Sequence, residues 1–122
     1  MKIIGTMHML LVQDMDRAIN FYEKTFGFTT LQKSAFWTNL DCGHGKIALC
    51  SFGNKTERKE TTLIIEVDNY KEAADKIKAN GGQVITIAEP YENAPVYNVI
   101  MIDTENNQVV ASQMVNLKAV LR

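Results

Sequence analysis

Histidine is scarce in this chain: among its 122 residues only His8 and His44 carry an imidazole. That leaves little material for a histidine-rich metal centre, and no local motif suggests a Ser-His-Asp arrangement. The two cysteines, Cys42 and Cys50, are too few for a disulfide framework and fall in one expected hairpin. The opening Met1-Lys2-Ile3-Ile4-Gly5 lacks the apolar stretch and cleavage site of a secretory signal, so both are expected as reduced thiols in a cytoplasm. No run is long and apolar enough to span a membrane. Neither charge dominates: 13 Lys and Arg face 14 Asp and Glu, interspersed, for a net charge of −1, which argues against a nucleic-acid partner. No glycine loop suited to cradling phosphate is present, because Gly43-x-Gly45 reads as a hairpin and Gly81-Gly82 as a helix stop.

What the chain does have is a pattern stated twice. Met7 to Val12 is a short apolar run, followed by the acidic turn at Asp14 and by Ala18, Ile19, Phe21, Tyr22 and Phe26 at helical spacing, with Gly27 as the stop. Thr62 to Val67 begins the second copy, with Asn69 as the cap, a stripe of Ala73, Ala74 and Ile77, and Gly81-Gly82 as the stop. Three strand-like runs follow each helix: Phe28 to Gln32, Ala35 to Leu40 and Lys46 to Phe52, then Gln83 to Ala88, Val96 to Ile102 and Gln108 to Met114. The turns Asp41–Gly45 and Asp103–Asn107 close the last hairpin of each copy, Asn106 being suited to a left-handed backbone. A half of about 60 residues buries too little surface to stand alone, so the copies are expected to share one core. The expectation is an α+β fold of two tandem βαβββ modules, forming a cupped mixed β-sheet with helices on its outer face. Module 1 spans residues 1–54, a linker of mixed charge 55–60, module 2 61–114 and a tail 115–122, all in one domain.

These residues resemble a known family. Asp14, Arg17-Ala18, Phe21-Tyr22 and Phe26-Gly27-Phe28 look like the first module of the vicinal oxygen chelate superfamily of glyoxalase I, extradiol dioxygenases, and fosfomycin and bleomycin resistance proteins. Asp103-Thr104-Glu105-Asn106-Asn107 is similar to that superfamily's Asp-Pro-Asp-Gly-Asn turn. The resemblance covers nearly the whole chain and speaks to fold more than to function. Enzymes of the family place metal ligands at four symmetric points, which here fall on Met7, Ala48, Thr62 and Val110. None suits a divalent metal, and only Thr62 offers oxygen, so no metal site and no cofactor are expected. His8 lies one residue away, but strand alternation places it with Leu10 and Val12 under the helix unless a bulge intervenes.

By the same alternation the concave face carries Met7, Met9, Ala48 and Cys50 in module 1, and Thr62, Ile64, Glu66, Val110 and Ser112 in module 2. Trp37 reads either as core or as a binding platform. Cys50 is a potential nucleophile with no nearby base to activate it, and a small buried thiol is the plainer reading. Glu66 either reaches water at a strand end or presents a carboxylate to the cavity, as a ligand contact or a weak candidate for a catalytic base. Tyr91, Glu92 and Tyr97 border the proline-bounded loop as a potential cavity lip, and Tyr97 reads equally as ordinary strand surface. The resulting expectation is a metal-independent, cytoplasmic homodimer that holds a small hydrophobic or aromatic molecule, similar in kind to the bleomycin resistance proteins. The alternative is a metal-dependent lyase or dioxygenase of the same superfamily with a non-standard site.

Overall fold

Eight strands and two helices make up the computed structural model, which describes residues 1–51 and 57–115. Module 1 holds β1 (His8–Leu11), α1 (Met15–Phe26), β2 (Thr29–Lys33), β3 (Trp37–Asp41) and β4 (Lys46–Cys50). Module 2 repeats the order with β5 (Lys59–Glu66), α2 (Tyr70–Ala79), β6 (Gln83–Ala88), β7 (Val96–Ile102) and β8 (Asn107–Met114). The sheet is built as two four-stranded halves, ordered β1-β4-β3-β2 and β5-β8-β7-β6, each mixed because β1 joins β4 and β5 joins β8 in parallel. β5 begins at Lys59, inside the segment 55–60 read as linker. Phe52, the first part of that linker and residues 116–122 of the tail lie outside the described residues.

Local chemistry accounts for both helices. The Asp14 carboxylate accepts the Arg17 N–H at 3.0 Å and the Asn69 side chain accepts the Glu72 N–H at 3.0 Å, each satisfying a donor that has no partner within its helix. Gly27 ends α1 with φ 73°, a left-handed conformation that costs a residue with a Cβ about 1–2 kcal/mol. The helices bury Ala18, Phe21, Tyr22, Ala73, Ala74 and Ile77 against Leu10, Leu40 and Leu49 of one half-sheet and Val99, Met101 and Val109 of the other. Phe21 and Tyr22 meet edge to face at 5.0 Å, and Tyr22 stacks on Phe28 at 6.2 Å. Gly82 enters this cluster from module 2: a Cβ there would lie 2.9 Å from Phe21 and Ile77 and 3.0 Å from the Ile102 carbonyl oxygen. The two modules therefore share one core.

A polar clamp adds to that join. Glu105, fully buried in the β7–β8 turn, accepts the backbone N–H groups of Gln13 and Asp14 at 2.8 Å each and Arg17 Nε at 2.7 Å. Its carboxylate thus sits at the start of α1, where the helix dipole favours negative charge. Tyr22 donates its hydroxyl to Asp103 at 2.6 Å, and Asn107 Nδ2 donates to the Leu11 carbonyl at 2.8 Å. Burial pushes the Asp103 carboxyl above its ordinary value despite the hydrogen bonds it accepts from Tyr22 and Asn107. The Tyr22 phenol is raised well above 10 by burial and by the Asp103 charge. For Glu105 burial acts in the same upward sense, but the bonds from Arg17, the Asp14 N–H and Thr104 overcome it and hold the carboxyl below its usual range.

Candidate functional site

Strand register decides which side chains share a face. Met9, Ala48 and Asn39 lie side by side across β1, β4 and β3, and one rung on come Leu11, Cys50 and Trp37. The corresponding rows of module 2 are Ile64, Val110 and Ile100, then Glu66, Ser112 and Asn98. The expected residues Met9, Trp37, Ala48 and Cys50 thus share one face, and Ile64, Glu66, Val110 and Ser112 the other. His8 sits opposite buried Ile47, so it belongs to the helix side, as alternation required. Met7 precedes β1 and is half-exposed. Thr62 falls in the stretch of β5 where the register with β8 shifts between Glu60 and Ile64.

Exposure along these rows is uneven. Met9 and Ile64 are 51% and 58% exposed, whereas Ala48 and Cys50 are at 1% and 2%. Both small residues lie on a central strand and are shaded by the longer side chains that flank them, so they form the floor of the face rather than its open wall. Trp37 is held across β3 by donating its indole N–H to the Asn39 side chain at 2.8 Å. In module 2 the Ser112 hydroxyl donates to the Asn98 side-chain oxygen. Glu66, in the same row, is exposed, with its carboxylate available to a ligand. Asn39, Asn98 and Ile100 complete these faces and were missed from sequence. Counting back along β3 and β7 does not reach them without the register of each hairpin turn, which differs between the modules.

Two clefts follow the seam between the half-sheets. One, of about 370 Å³, is bounded by Ile47 and Lys46 of β4, Leu63 to Glu66 of β5, and Phe28. The other, of about 480 Å³, lies between His8–Leu11 and Lys59–Thr62. The first brings Ile64 and Glu66 together, and the second Met9 and Thr62. Cys42, in the first hairpin turn, lines the first cleft half-buried, and burial pushes its thiol up in pKa, away from nucleophilic use. Tyr97 does not form a cavity lip: it stacks on Tyr70 at 3.9 Å, on the helix side. Tyr91 and Glu92 are exposed.

Thioether, methyl, hydroxyl and isopropyl groups stand at Met7, Ala48, Thr62 and Val110, a donor set that does not fit a divalent metal. Among the described residues no three His, Cys, Asp or Glu side chains gather into an alternative set. Nor is any helix among them long and apolar enough to cross a membrane.

The family model for the Glyoxalase/Bleomycin resistance protein/Dioxygenase superfamily matches residues 5–110. A lactoylglutathione lyase of Escherichia coli O157:H7 is 27% identical over 89% of this chain and 90% of its own. Among solved structures, a fosfomycin resistance protein of Listeria monocytogenes superposes with a TM-score of 0.74 at 14% identity, covering 94% of this chain and 96% of that one. The bleomycin-binding protein of Streptomyces verticillus, solved with copper(II)-bleomycin, gives 0.69 at 14% identity, over 95% and 99%.

Proposed function

The chain belongs to the Glyoxalase/Bleomycin resistance protein/Dioxygenase superfamily, and we propose that within it this protein binds a small hydrophobic or aromatic molecule without the help of a metal. The observation that carries the reading is the replacement, in both modules, of every position where the resemblance expects a metal ligand by Met7, Ala48, Thr62 and Val110. Around them the faces are apolar, with Met9 and Ile64 half open to solvent. Such a surface gains roughly 25 cal/mol for each Å² of apolar ligand area it takes from water. Glu66 supplies a carboxylate at the edge of module 2's face, suited to a cationic group on an otherwise apolar ligand. The assembly we propose is a homodimer in which a second copy covers the apolar surface beside the first strand, where Ile3 and Ile4 are exposed, and leaves Met9 and Ile64 to the ligand.

A titration with the neutral fluorophore N-phenyl-1-naphthylamine tests this. Met9→Asp and Ile64→Asp should each weaken uptake about tenfold while the circular-dichroism spectrum is kept, since an aspartate on an exposed face removes apolar contact without entering the core. Equal binding by parent and variants would refute the site. Ala48→Trp, on the floor of module 1's face, should abolish uptake by filling it.

The second reading, a lyase or dioxygenase with a non-standard metal site, is supported by the 27% identity to a lactoylglutathione lyase. Elemental analysis of protein purified without chelators separates the two. A stoichiometric metal that survives dialysis favours the enzyme.

A further inference from the structure

A row of three polar side chains crosses the otherwise apolar face of module 2. Glu66 of β5, Ser112 of β8 and Asn98 of β7 stand side by side in register. Ile64, Val110 and Ile100 form the row on one side of it. On the other side Val96 pairs with Met114, which is 69% exposed. Neighbouring strands lie about 4.8 Å apart, so Glu66 and Asn98 are about 10 Å apart at the backbone, with Ser112 between them. The corresponding row of module 1, Leu11, Cys50 and Trp37, carries no charge.

The row has a fixed order of donors and acceptors. The Ser112 hydroxyl donates to Asn98 Oδ1, which occupies the amide's oxygen and fixes which way the amide lies. The Nδ2 group is then turned away from Ser112, and among the described residues it has no acceptor. Glu66 makes no ion pair among those residues either. One end of the row therefore offers a charged acceptor and the other a neutral N–H donor. A few such polar groups set in an apolar surface are what orient a small ligand. Module 1 uses the same device in its neighbouring row: Trp37 Nε1 donates to Asn39 Oδ1 at 2.8 Å, so that amide too presents its Nδ2.

We propose that this row selects the class of ligand: an apolar body that carries a protonated amine and, along the same edge, a carbonyl group. The ammonium meets Glu66, the carbonyl oxygen accepts from Asn98 Nδ2, and the apolar body covers the rows of Ile64 and Met114. Ser112 is a positioning residue, which acts by holding the Asn98 amide with its donor outward. A ligand that lacks either polar group leaves one end of the row without a partner when it covers it, at the expense of that group's hydration. The inference rests on the small-molecule-binding reading above and adds the chemistry that the ligand carries beside its apolar body.

The test is displacement of N-phenyl-1-naphthylamine from the full chain by three probes of matched size. The first is the diethylaminoethyl amide of benzoic acid. The second replaces its amine nitrogen by carbon, and the third replaces its amide by a pair of methylenes. The parent should prefer the first probe to each of the others by about threefold. Glu66→Gln should remove the preference for the amine. Asn98→Asp, which keeps an acceptor for Ser112 and turns the outward donor into an acceptor, should remove the preference for the carbonyl. Ser112→Ala should weaken the preference for the carbonyl and not that for the amine, a split that a general loss of structure would not produce. Circular dichroism checks that each variant is folded. A parent that binds the fluorophore and yields it equally to all three probes overturns the row and leaves the apolar site standing. So does an Asn98→Asp protein that still prefers the carbonyl. A parent that takes up no fluorophore overturns the underlying reading, and the row with it.

Discussion

The β3–β4 turn and the β7–β8 turn occupy the same place in the two modules and do opposite things. Asp41 pairs with Lys46 across the first, leaving Cys42–Gly45, whereas Ile102 pairs with Gln108 across the second, leaving the longer Asp103–Asn107. The extra residue comes with an acidic composition. Asp103, Glu105 and Asn107 are buried and grip α1 and β1, whereas Gly43, His44 and Gly45 are exposed beside an open cleft. A duplicated unit has thus been specialised at one loop position, one copy serving cohesion and the other left free for contact.

The sharpest way to break that contrast is at Glu105. Glu105→Ala strips two backbone N–H groups and Arg17 of their acceptor and should cost about 3 kcal/mol, against less than about 0.5 kcal/mol for His44→Ala in the exposed turn, read from chemical denaturation. Similar losses would mean the two turns are not different in kind. Next in size is the pair of glycines that follow the helices. Gly82→Ala should cost about 1–3 kcal/mol by overpacking Phe21 and Ile77, in every residue larger than glycine. Gly27 has open space around it but a positive φ, so Gly27→Ala should cost about 1 kcal/mol and Gly27→Asn less. An Asn rescue at position 82 but not at 27 would reverse the assignment.

Acid sharpens the comparison further. The Glu105 carboxyl is held below its usual range, so its contribution is fully present above the unfolded value near 4.3 and is lost as pH falls through the lower folded value. Asp103 is raised, so its contribution is present at low pH and is lost as pH rises through the folded value. The stability gap between the parent and Glu105→Gln should therefore be widest near neutrality and shrink below the normal glutamate range. A gap independent of pH would remove Glu105's charge from the account. The smallest effect belongs to the faces themselves. Leu11, Cys50 and Trp37 in module 1 answer to Glu66, Ser112 and Asn98 in module 2. Glu66→Gln should weaken a cationic aromatic probe by about 0.5–1 kcal/mol and leave the neutral one unchanged.

Alternation and capping made the fold readable from sequence. Asp14, Asn69 and Gly27 fall where they were expected, α1 spans the expected residues, and the parity of β1 put His8 under the helix. The β3 and β7 rows were not legible, because the two turns look alike as five-letter strings yet close with different registers. That shift decides whether Asn39 or a neighbour stands beside Ala48. Nor could alternation reveal that Ala48 and Cys50 would be shaded, since shading depends on the length of the side chains beside them on the adjacent strands β1 and β3. Tyr97 was ambiguous for a related reason: β7 is apolar on both faces, so its pattern does not say which side is which.

The bond from the Gln13 N–H to Glu105 joins positions 92 residues apart in the chain. Translation advances at about 5–20 residues per second, so α1 leaves the ribosome roughly 5–20 s before the carboxylate that completes its first turn. Through that interval the first turn of α1 has the Asp14 cap but lacks Glu105 as an acceptor, and the side of Phe21 that later packs against Gly82 is still in water. The clamp thus acts as a clock as well as a fastening: the first half of the protein cannot finish before the second half has been made.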